Sequence, residues 1–558
     1  MDKKVNVEVV IENLDNTRVL VAQGTSLSEI AKKYMRPGEC PILGALVNHR
    51  VEFLGYRVYN PKIVKFIDIR HKQGMKMYQH SMCLMLYKAV KDTYPEATLS
   101  IDHSLSNGFY CTIKDIEGVD QETIAKTVKA RMLELQKADM PFESKTMLVD
   151  DAIELLKDQN LPKTVNMLKQ VTELYVELHC LGGTWHKMAS KLVPSTGCLM
   201  NWDFRTFDIG YLLQWPDREC PTKVSPFQNT PKLFNIFQEH LHWVDLLHVP
   251  TIADLNRTVR DNKAVQLIHV SEALHEKKYA EIAEMIYKRK DSVRLVLLAG
   301  PSSSGKTTSC RRLCVQLNVL GFDVQQISVD DYFVDRSRTP RQPNGDYDFE
   351  ALEAIDLPLL NDHLKRLFKG ERVEIPTYDF KVGKQRFLGK TIQLKPSSIL
   401  IVEGIHALNP KMTAEIDDGL KFKVYVSAMT QISIDDQNLI HTSDNRLIRR
   451  MVRDNNFRGW NALETLKRWD SVQQGERLHI FPYQENADVM FNSALLYELG
   501  VLKLYAEPQL KQVPQNCQEY AEAQRLLSFI ELIEPISPEF IPPTSIMREF
   551  LGGSSFEY

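Results

Sequence analysis

The sequence predicts an α/β fold built on a mainly parallel sheet, with two smaller domains before it in the chain. Over residues 292–510, apolar strands alternate with helical segments, which is typical of a parallel sheet covered on both faces. A glycine-rich turn follows the first of these strands. Over residues 5–70, apolar and polar residues alternate with period 2, which predicts a separate β-rich domain.

The glycine-rich turn lies between an apolar run at 293–298 and a helical segment, and its pattern is G-x-x-x-x-G-K-T. In this context the pattern predicts a phosphate-binding loop, because backbone N–H groups and a helix N-terminus favour an anion. Lys306 is expected to reach the β- and γ-phosphates of ATP, and the Thr307 hydroxyl to bind Mg²⁺. The ATP-binding residues predicted here are Gly300, Pro301, Ser302, Ser303, Ser304, Gly305, Lys306, Thr307 and Thr308.

Composition restricts the function classes. A chain of 558 residues is too long for one core and suggests about three to four domains. With 69 Lys and Arg against 72 Asp and Glu, the net charge of −3 gives no overall electrostatic case for nucleic acid or membrane. We expect no signal peptide and no membrane span, and the nine scattered cysteines favour a reducing compartment. A cytoplasmic enzyme is therefore expected.

Residues 1–70 are predicted to form a small β-grasp domain. Short strands are predicted at 5–11, 18–21, 42–47, 51–53 and 65–69, around a helix that starts near Ser26. The segment resembles the ubiquitin-like module at the N-terminus of threonyl-tRNA synthetases and some GTPases. That resemblance implies a role in recognition and not in chemistry.

Residues 71–230 are predicted to form an α+β domain whose order in the chain also resembles threonyl-tRNA synthetase, whose editing domain follows the ubiquitin-like module. The family's editing helix carries an H-x-x-x-H pair, whereas here His80 is followed four residues later by Leu84. Cys180 and His186 remain as the other candidate donors. Because a metal or editing site needs several converging donors, we expect a domain that has lost its chemistry, with a residual site as the alternative.

The remaining chain divides into three parts. Residues 231–291 are predicted to be a helical connector, and residues 511–558 a proline-rich strap. Between them, residues 292–510 form the phosphate-loop domain. Its strands are predicted at 295–299, 324–329, 398–402 and 422–426. Ligands of such sheets bind at the carboxyl ends of the strands.

Asp330 immediately follows the strand predicted at 324–329. A carboxylate at the edge of a nucleotide site can accept a hydrogen bond from an acceptor hydroxyl and take its proton as the new P–O bond forms. Asp330 is therefore the predicted general base, and Asp330 and Lys306 are the predicted catalytic residues. A magnesium-shell carboxylate or a helix N-cap is the alternative role for Asp330.

Four motifs follow the phosphate loop in order: ISVDDYF at 327–333, IPTYDF at 375–380, IVEG at 401–404 and RRMVRD at 449–454. Together they resemble the uridine–cytidine kinase and phosphoribulokinase family of P-loop kinases over about 190 residues, roughly 293–485. The resemblance implies transfer of the ATP γ-phosphate to a primary hydroxyl. It also matches Asp330 to the family's base.

Other site residues are assigned with alternatives. Glu403 follows a strand and is expected near Mg²⁺, or in a salt bridge. In the family, an acid in the segment matching 347–350 holds the ribose hydroxyls, and Asp348 and Glu350 both remain candidates. Tyr378 matches a residue that contacts the pyrimidine, and the alternative is a packed strand-end aromatic.

Arginines recur on one predicted helix face, where like charges repel unless an anion neutralises them. The stripe contains Arg446, Arg449, Arg450 and Arg453, with Arg458 just beyond. The resemblance matches Arg450, Arg453 and Arg458 to the lid arginines that close over the ATP phosphates. The alternative is a solvated face paired with Asp444 and Asp454.

Two positions depart from the family. Gly383 stands where the family has a histidine after its Tyr-Asp-Phe, and Trp460 stands where it has a lid arginine that helps hold the pyrimidine. Phosphate handling is therefore expected to be kept while base recognition is altered.

These observations favour an ATP- and Mg²⁺-dependent kinase of a nucleoside 5′-hydroxyl, with uridine or cytidine preferred. A kinase of another sugar-like alcohol is one alternative. Another is a nucleotide-dependent regulator that binds RNA or protein through residues 1–230. We expect a small-molecule nucleoside substrate, a homo-oligomer and no membrane partner.

Overall fold

The computed structural model describes residues 5–342, 345, 347–380, 382–430 and 432–557. Its first part is a five-stranded sheet with strand order β2-β1-β7-β4-β5, in which only the β1–β7 pair is parallel. The helix α1 begins after Ser26, whose side chain forms a reciprocal capping box with Glu29. The elements are β1 Asn6–Ile11, β2 Thr17–Ala22, β3 Thr25–Ser26, α1 Leu27–Tyr34, β4 Gly44–Val47, β5 Arg50–Glu52, β6 Arg57–Val58 and β7 Lys62–Ile67.

The second part contains a four-stranded sheet in the order β13-β14-β9-β8, a three-stranded sheet β10-β11-β12 and a hairpin β15-β16. Its first helix, α2, is long and buried along most of its length. The elements are α2 Lys72–Thr93, β8 Thr98–Ser104, β9 Gly108–Lys114, α3 Gln121–Lys137, β10 Glu143–Leu148, α4 Val149–Asp158, α5 Pro162–Leu168, β11 Tyr175–Leu181, β12 Thr184–His186, β13 Asp203–Phe207, β14 Gly210–Gln214, β15 Pro216–Asp217 and β16 Cys220–Val224.

The connector is helical, as predicted. Its helices are α6 Pro231–Leu247, α7 Ile252–Arg260 and α8 Ala264–Tyr287. None of the helices in the described ranges combines the length and the apolar character needed to cross a bilayer.

A five-stranded parallel sheet forms the centre of the following part, with strand order β18-β21-β17-β22-β23. The four strands predicted from the sequence are confirmed to within one residue at each end. A protruding antiparallel hairpin, β19-β20, was not predicted. The elements are β17 Leu295–Ala299, α9 Lys306–Val319, β18 Asp323–Ser328, α10 Leu357–Phe368, β19 Val373–Asp379, β20 Lys384–Ile392, β21 Ser398–Glu403, β22 Lys421–Ser427, α11 Thr442–Arg458, α12 Ala462–His479, β23 Val489–Asn492 and α13 Glu498–Lys511.

The central strand β17 is buried along its whole length, because helices cover both faces of the sheet. Leu295 and Leu297 point into one hydrophobic core, and Val296 and Leu298 point into another. This alternation makes the strand a continuous apolar run. It also fixes the position of the turn that follows at Gly300.

The N-terminal and C-terminal halves share a third core, which includes residues of α2, α11 and the tail helix α14 (Tyr520–Ile530). Polar side chains of α2 contact α14 across this boundary: Gln73 donates to Glu522 at 2.9 Å, and Lys72 lies 3.3 Å from the same carboxylate. Within the C-terminal half, Arg525 of α14 donates to both carboxylate oxygens of Asp444 at 2.7 and 2.8 Å. Asp444 is therefore paired with the tail and not with the arginine stripe of α11.

The tail after α14 runs back to the phosphate-loop region. Its last helix, α15, spans Arg548–Leu551. Ile546, Met547 and Phe550 are fully buried, so this end of the strap is packed into the protein.

Candidate active site

The turn after β17 forms a cradle at the carboxyl end of the central strand. At Gly300 a β-carbon would lie 2.0 Å from the carbonyl oxygen of Val426, so a side chain does not fit. Ser303 and Gly305 have φ values of +58° and +81°, in the left-handed region. Such residues curve the backbone into a concavity lined by N–H groups, and α9 begins directly after it. This conformation is compatible with a phosphate bound in the concavity.

Two buried ion pairs hold this loop from the side of α11. Arg446 donates to both oxygens of Glu476 and, at 3.1 Å, to the carbonyl oxygen of Ser302. Glu476 in turn accepts the N–H of Ser302 at 3.0 Å. Arg449 donates to Glu498 and to the carbonyl oxygen of Ser303. The two arginines therefore position the loop.

The expectation that the whole arginine stripe needs an external anion is thus wrong for Arg446 and Arg449, which have their own carboxylates. Arg450, Arg453 and Arg458 differ, because all three pair with a single carboxylate, the fully buried Asp454. Arg450 also donates to the Ser302 hydroxyl at 2.8 Å. Burial, together with repulsion from Arg453, lowers the pKa of Arg458 to about 10. These three arginines therefore have one buried carboxylate between them, beside the loop.

Asp330 and Glu403 stand at the ends of the neighbouring strands β18 and β21. The hydroxyl of Ser328, the last residue of β18, donates to Glu403 of the neighbouring strand β21 at 3.0 Å. The side chain of Asp330 is accessible from a deep cleft whose walls surround it. Burial among these walls raises the pKa of Asp330, and Lys306, Arg458 and Arg453 oppose that shift. Burial and repulsion from Asp330 raise the pKa of Glu403 to about 7, with Lys306 opposing.

These residues line one cleft of about 3350 Å³ at the carboxyl end of the parallel sheet. Lys306 and Thr307 lie on its floor, and Lys306 Nζ donates to the carbonyl oxygen of Pro301 at 3.1 Å. The opposite wall comes from the N-terminal half, including residues 104–108 with Trp215 and Arg218. The cleft therefore brings together a nucleotide-type loop, two carboxylates and a group of cationic side chains.

The sequence of this part of the chain is similar to those of known proteins. The model of the "Phosphoribulokinase / Uridine kinase family" matches residues 295–496. Uridine kinase of Staphylococcus haemolyticus (strain JCSC1435) is 29% identical over 197 residues, which are 35% of this chain and 86% of that protein. Uridine kinase of Staphylococcus aureus (strain JH9) is 30% identical over 178 residues, 32% of this chain and 76% of that protein. This chain belongs to the phosphoribulokinase/uridine kinase family. It is a phosphotransferase with an alcohol acceptor.

A solved structure described as a possible uridine kinase from Bacillus stearothermophilus is also similar. Its sequence identity is 21% and its TM-score is 0.27, and the match covers 39% of this chain and 98% of that one. The family match lies within the part of the chain that contains the P-loop kinase fold and its parallel sheet. The residues before 295 lie outside it.

Glu350 and Asp348, the two candidates for holding the ribose hydroxyls, have different environments. Asp348 accepts the N–H of Glu350 at 3.1 Å and so stabilises its own turn. Glu350 lines the cleft, close to Gly475 of α12, where a β-carbon would lie 2.3 Å from the Glu350 Cβ. Burial, with repulsion from Glu476 and Asp330, raises the pKa of Glu350 to about 7. Of the two candidates, Glu350 is the one that faces the site.

Aromatic rings surround the same region of the kinase. Phe333, Phe349 and Phe380 line the cleft. Tyr378 lies behind them, 5% exposed, with ring centroids 5.5 Å from Phe333 and 4.9 Å from Phe380. Phe333 and Phe380 therefore stand between Tyr378 and the cleft.

The two departures from the family also lie near the cleft. Gly383 has φ of +73°, and a β-carbon there would lie 2.7 Å from the Nε of Arg336. Arg336 occupies this space, donates to the carbonyl oxygen of Phe380 at 2.6 Å and lines the cleft. Trp460 also lines the cleft and stacks with Arg468, whose guanidinium lies 4.1 Å from the ring centroid. Arg336 is a cleft residue that the sequence did not single out.

The three remaining donors of the N-terminal half do not form a site together. His80, Cys180 and His186 lie on α2, β11 and β12, and none of them lines the kinase cleft. Across the described part of the chain, no three His, Cys, Asp or Glu side chains are grouped so that they could hold a metal ion. The alternative of a residual metal site at these positions therefore has no support in the structure.

ATP and Mg²⁺ fit the donors of this kinase site. The Ser303 and Ser304 hydroxyls are buried and have no hydrogen-bond partner among the described residues, as expected in a loop shaped for a polar ligand. Thr307 and Glu403 would hold Mg²⁺. Few protein ligands are expected, because Mg²⁺ keeps several waters and binds substrate phosphates. Bound there, the ion would neutralise phosphate charge.

A pH dependence follows from Glu403. Its pKa is about 7 in the folded kinase and near 4.5 when unfolded, so its stabilising contribution is complete below about pH 4.5 and is lost as the pH rises through 7. Glu403→Gln should therefore gain thermal stability relative to the wild type as the pH rises from 5.5 to 8, without nucleotide or Mg²⁺. Melting curves at each pH measure this difference. The buried histidines are the same in both proteins, so their titration does not contribute to the difference. A stability difference between the two proteins that does not change with pH would contradict the raised pKa of Glu403.

Proposed function

We propose that the protein transfers the γ-phosphate of ATP to the 5′-hydroxyl of a nucleoside, with uridine and cytidine favoured. The observation that carries the proposal is the position of Asp330. It stands at the end of β18, is accessible from the cleft, and interacts electrostatically with Lys306, Arg453 and Arg458. A base is thus adjacent to the groups that would hold the phosphates.

The proposed mechanism is positioning combined with neutralisation of charge. The loop N–H groups bind the α- and β-phosphates and Lys306 binds the β- and γ-phosphates, while Arg450, Arg453 and Arg458 close over them. Asp330 accepts the proton of the attacking hydroxyl as the bond between that oxygen and the γ-phosphorus forms. ADP leaves with the bridging oxygen. Thr307 and Glu403 would hold Mg²⁺, which would offset the negative charge on the phosphates.

The proposed acceptor lies between Glu350 and the phenylalanine rings. Glu350 would accept hydrogen bonds from the ribose hydroxyls, and Phe333 and Phe380 would contact the base. Tyr378 would support these rings from behind. Because Arg336 stands where Gly383 leaves space, its guanidinium is the group we expect to replace the family's histidine.

Uridine or cytidine should give the highest acceptor-dependent release of ADP in a panel of nucleosides and sugar alcohols. A coupled assay with ATP and Mg²⁺ measures it, and reactions without acceptor provide the background. Turnover with a sugar alcohol but with no nucleoside would assign the enzyme to a different acceptor class. The absence of acceptor-dependent turnover with every nucleoside would remove the nucleoside kinase proposal.

For the domain organisation we propose a ubiquitin-like β-grasp recognition domain at 1–70, an α+β domain resembling the second domain of threonyl-tRNA synthetase at 71–230, a helical connector at 231–291, the kinase domain at 292–510 and a C-terminal strap at 511–558. The sheet order β2-β1-β7-β4-β5 around one helix supports the first assignment. A homo-oligomer in the cytoplasm is proposed, and the nine free cysteines support a reducing compartment.

A second candidate function is a nucleotide-dependent regulator that binds RNA through the N-terminal half. One observation favours it: residues 104–108, Trp215 and Arg218 form a wall of the kinase cleft, whose volume exceeds the roughly 1,000 Å³ of large small-molecule sites. Filter binding to tRNA over a salt series tests this function. Real phosphate contacts would give a steep loss of affinity with salt, and weak binding at every salt concentration would exclude it.

A further inference from the structure

A glutamate from the C-terminal tail lies on the phosphate loop. The carboxylate of Glu549 accepts the backbone N–H of Thr308 at 3.1 Å and the Thr308 hydroxyl at 2.6 Å through the same oxygen, Oε2. Thr308 has no exposed surface, whereas Glu549 lines the cleft. Glu549 is 241 residues away in sequence, and no motif marks it.

Glu549 accepts a hydrogen bond from the backbone N–H of Thr308, and this N–H is one of the donors that a phosphate would use. Thr308 is the third residue of α9, so its N–H belongs to the first turn and points out of the helix N-terminus. In a P-loop such donors, together with the loop N–H groups, bind the α- and β-phosphates. A carboxylate and a phosphate oxygen need the same donor. Both are anions that the helix dipole favours at this end.

The backbone of the tail is fixed here. Ile546 packs against the loop, and a β-carbon on Gly305 would lie 2.7 Å from its methyl group. Asn456 of α11 donates to the carbonyl oxygen of Phe550 at 3.0 Å, and Phe550 is fully buried. The flexible side chain of Glu549 is partly exposed to the cleft and is therefore the part that can move. Its charge also reaches the metal side of the site, since it contributes to the raised pKa of Glu403.

We propose that Glu549 is a nucleotide-site residue that competes with the phosphates of the donor nucleotide for Thr308 and so sets how tightly the kinase binds ATP. The proposal rests on the nucleotide site of the proposed function but not on the identity of the acceptor. Binding of ATP requires the carboxylate to rotate away from the helix N-terminus. The apparent affinity is then reduced by the fraction of molecules in which Thr308 is occupied.

Glu549→Ala and Glu549→Gln should bind ATP more tightly than the full-length wild type, by about tenfold for the alanine variant, because a hydrogen bond to a charged group is removed from the free state. Titration with a fluorescent ATP analogue, without acceptor, measures the dissociation constant. Glu539→Gln is the matched control, since Glu539 is an exposed glutamate of the same tail outside the cleft lining. It should not change the affinity.

Thermal melting of the nucleotide-free proteins separates competition from a structural role. Glu549→Ala should melt at a lower temperature while binding ATP more tightly, whereas a purely structural contact would reduce both stability and affinity. Equal or weaker ATP binding by both Glu549 variants overturns the inference and leaves the kinase proposal standing. Folded wild type and variants that all fail to bind ATP would overturn both.

Discussion

Asp330→Asn is expected to lose phosphoryl transfer by a factor on the order of 10²–10⁴, the usual contribution of a general base. Asparagine has nearly the same shape but cannot take the proton of the acceptor hydroxyl. ATP binding should persist, because the loop N–H groups, Lys306 and the arginines are unchanged. Acceptor-dependent ADP release measures turnover, and titration with the fluorescent nucleotide measures binding.

Asp331→Asn is the matched control for this variant, because Asp331 is adjacent and also lines the cleft. It should retain most of the activity. In the wild type, the acidic limb of the kcat/KM profile should lie above the ordinary pKa of an aspartate, since burial raises the pKa of Asp330. Equal turnover by Asp330→Asn and the wild type would refute the role of Asp330 as base.

Much of this site could be predicted from the sequence because its signals are local. The phosphate loop follows a fully apolar strand, Asp330 follows the strand predicted at 324–329, and Glu403 follows the strand predicted at 398–402. Because the strands are parallel, all three lie at the carboxyl edge of the same sheet. Arg450, Arg453 and Arg458 follow helical spacing. In each case a short pattern determines the backbone, and the backbone places the side chain.

The partners of these residues could not be predicted, because long-range packing selects them. Glu476 of α12 accepts the N–H of Ser302, and Glu498 of α13 pairs with Arg449, which donates to the carbonyl oxygen of Ser303. No spacing in the sequence connects either glutamate to the loop. The choice between Asp348 and Glu350 depends on a turn in which Asp348 accepts the N–H of Glu350. The sequence shows the charge of each side chain but not which neighbour already neutralises it.

Glu476→Ala is expected to lower the free energy of unfolding by about 3–5 kcal/mol, because it leaves the buried Arg446 without its carboxylate. It also removes the acceptor of the Ser302 N–H, so the loop should lose its shape and bind ATP more weakly. Chemical denaturation measures the stability and nucleotide titration measures the affinity. A loss below about 1 kcal/mol would mean that water or another side chain pairs with Arg446.

The double variant Arg446→Met, Glu476→Leu separates the two effects of this ion pair. Replacing a buried pair by apolar residues of similar size often recovers stability, because both desolvated charges are removed together. The hydrogen bonds to the N–H and the carbonyl of Ser302 are not recovered, since neither new side chain can make them. Stability should therefore return toward that of the wild type while ATP affinity stays low. Recovery of both would mean that packing alone shapes the loop and that the ion pair has no part in nucleotide binding.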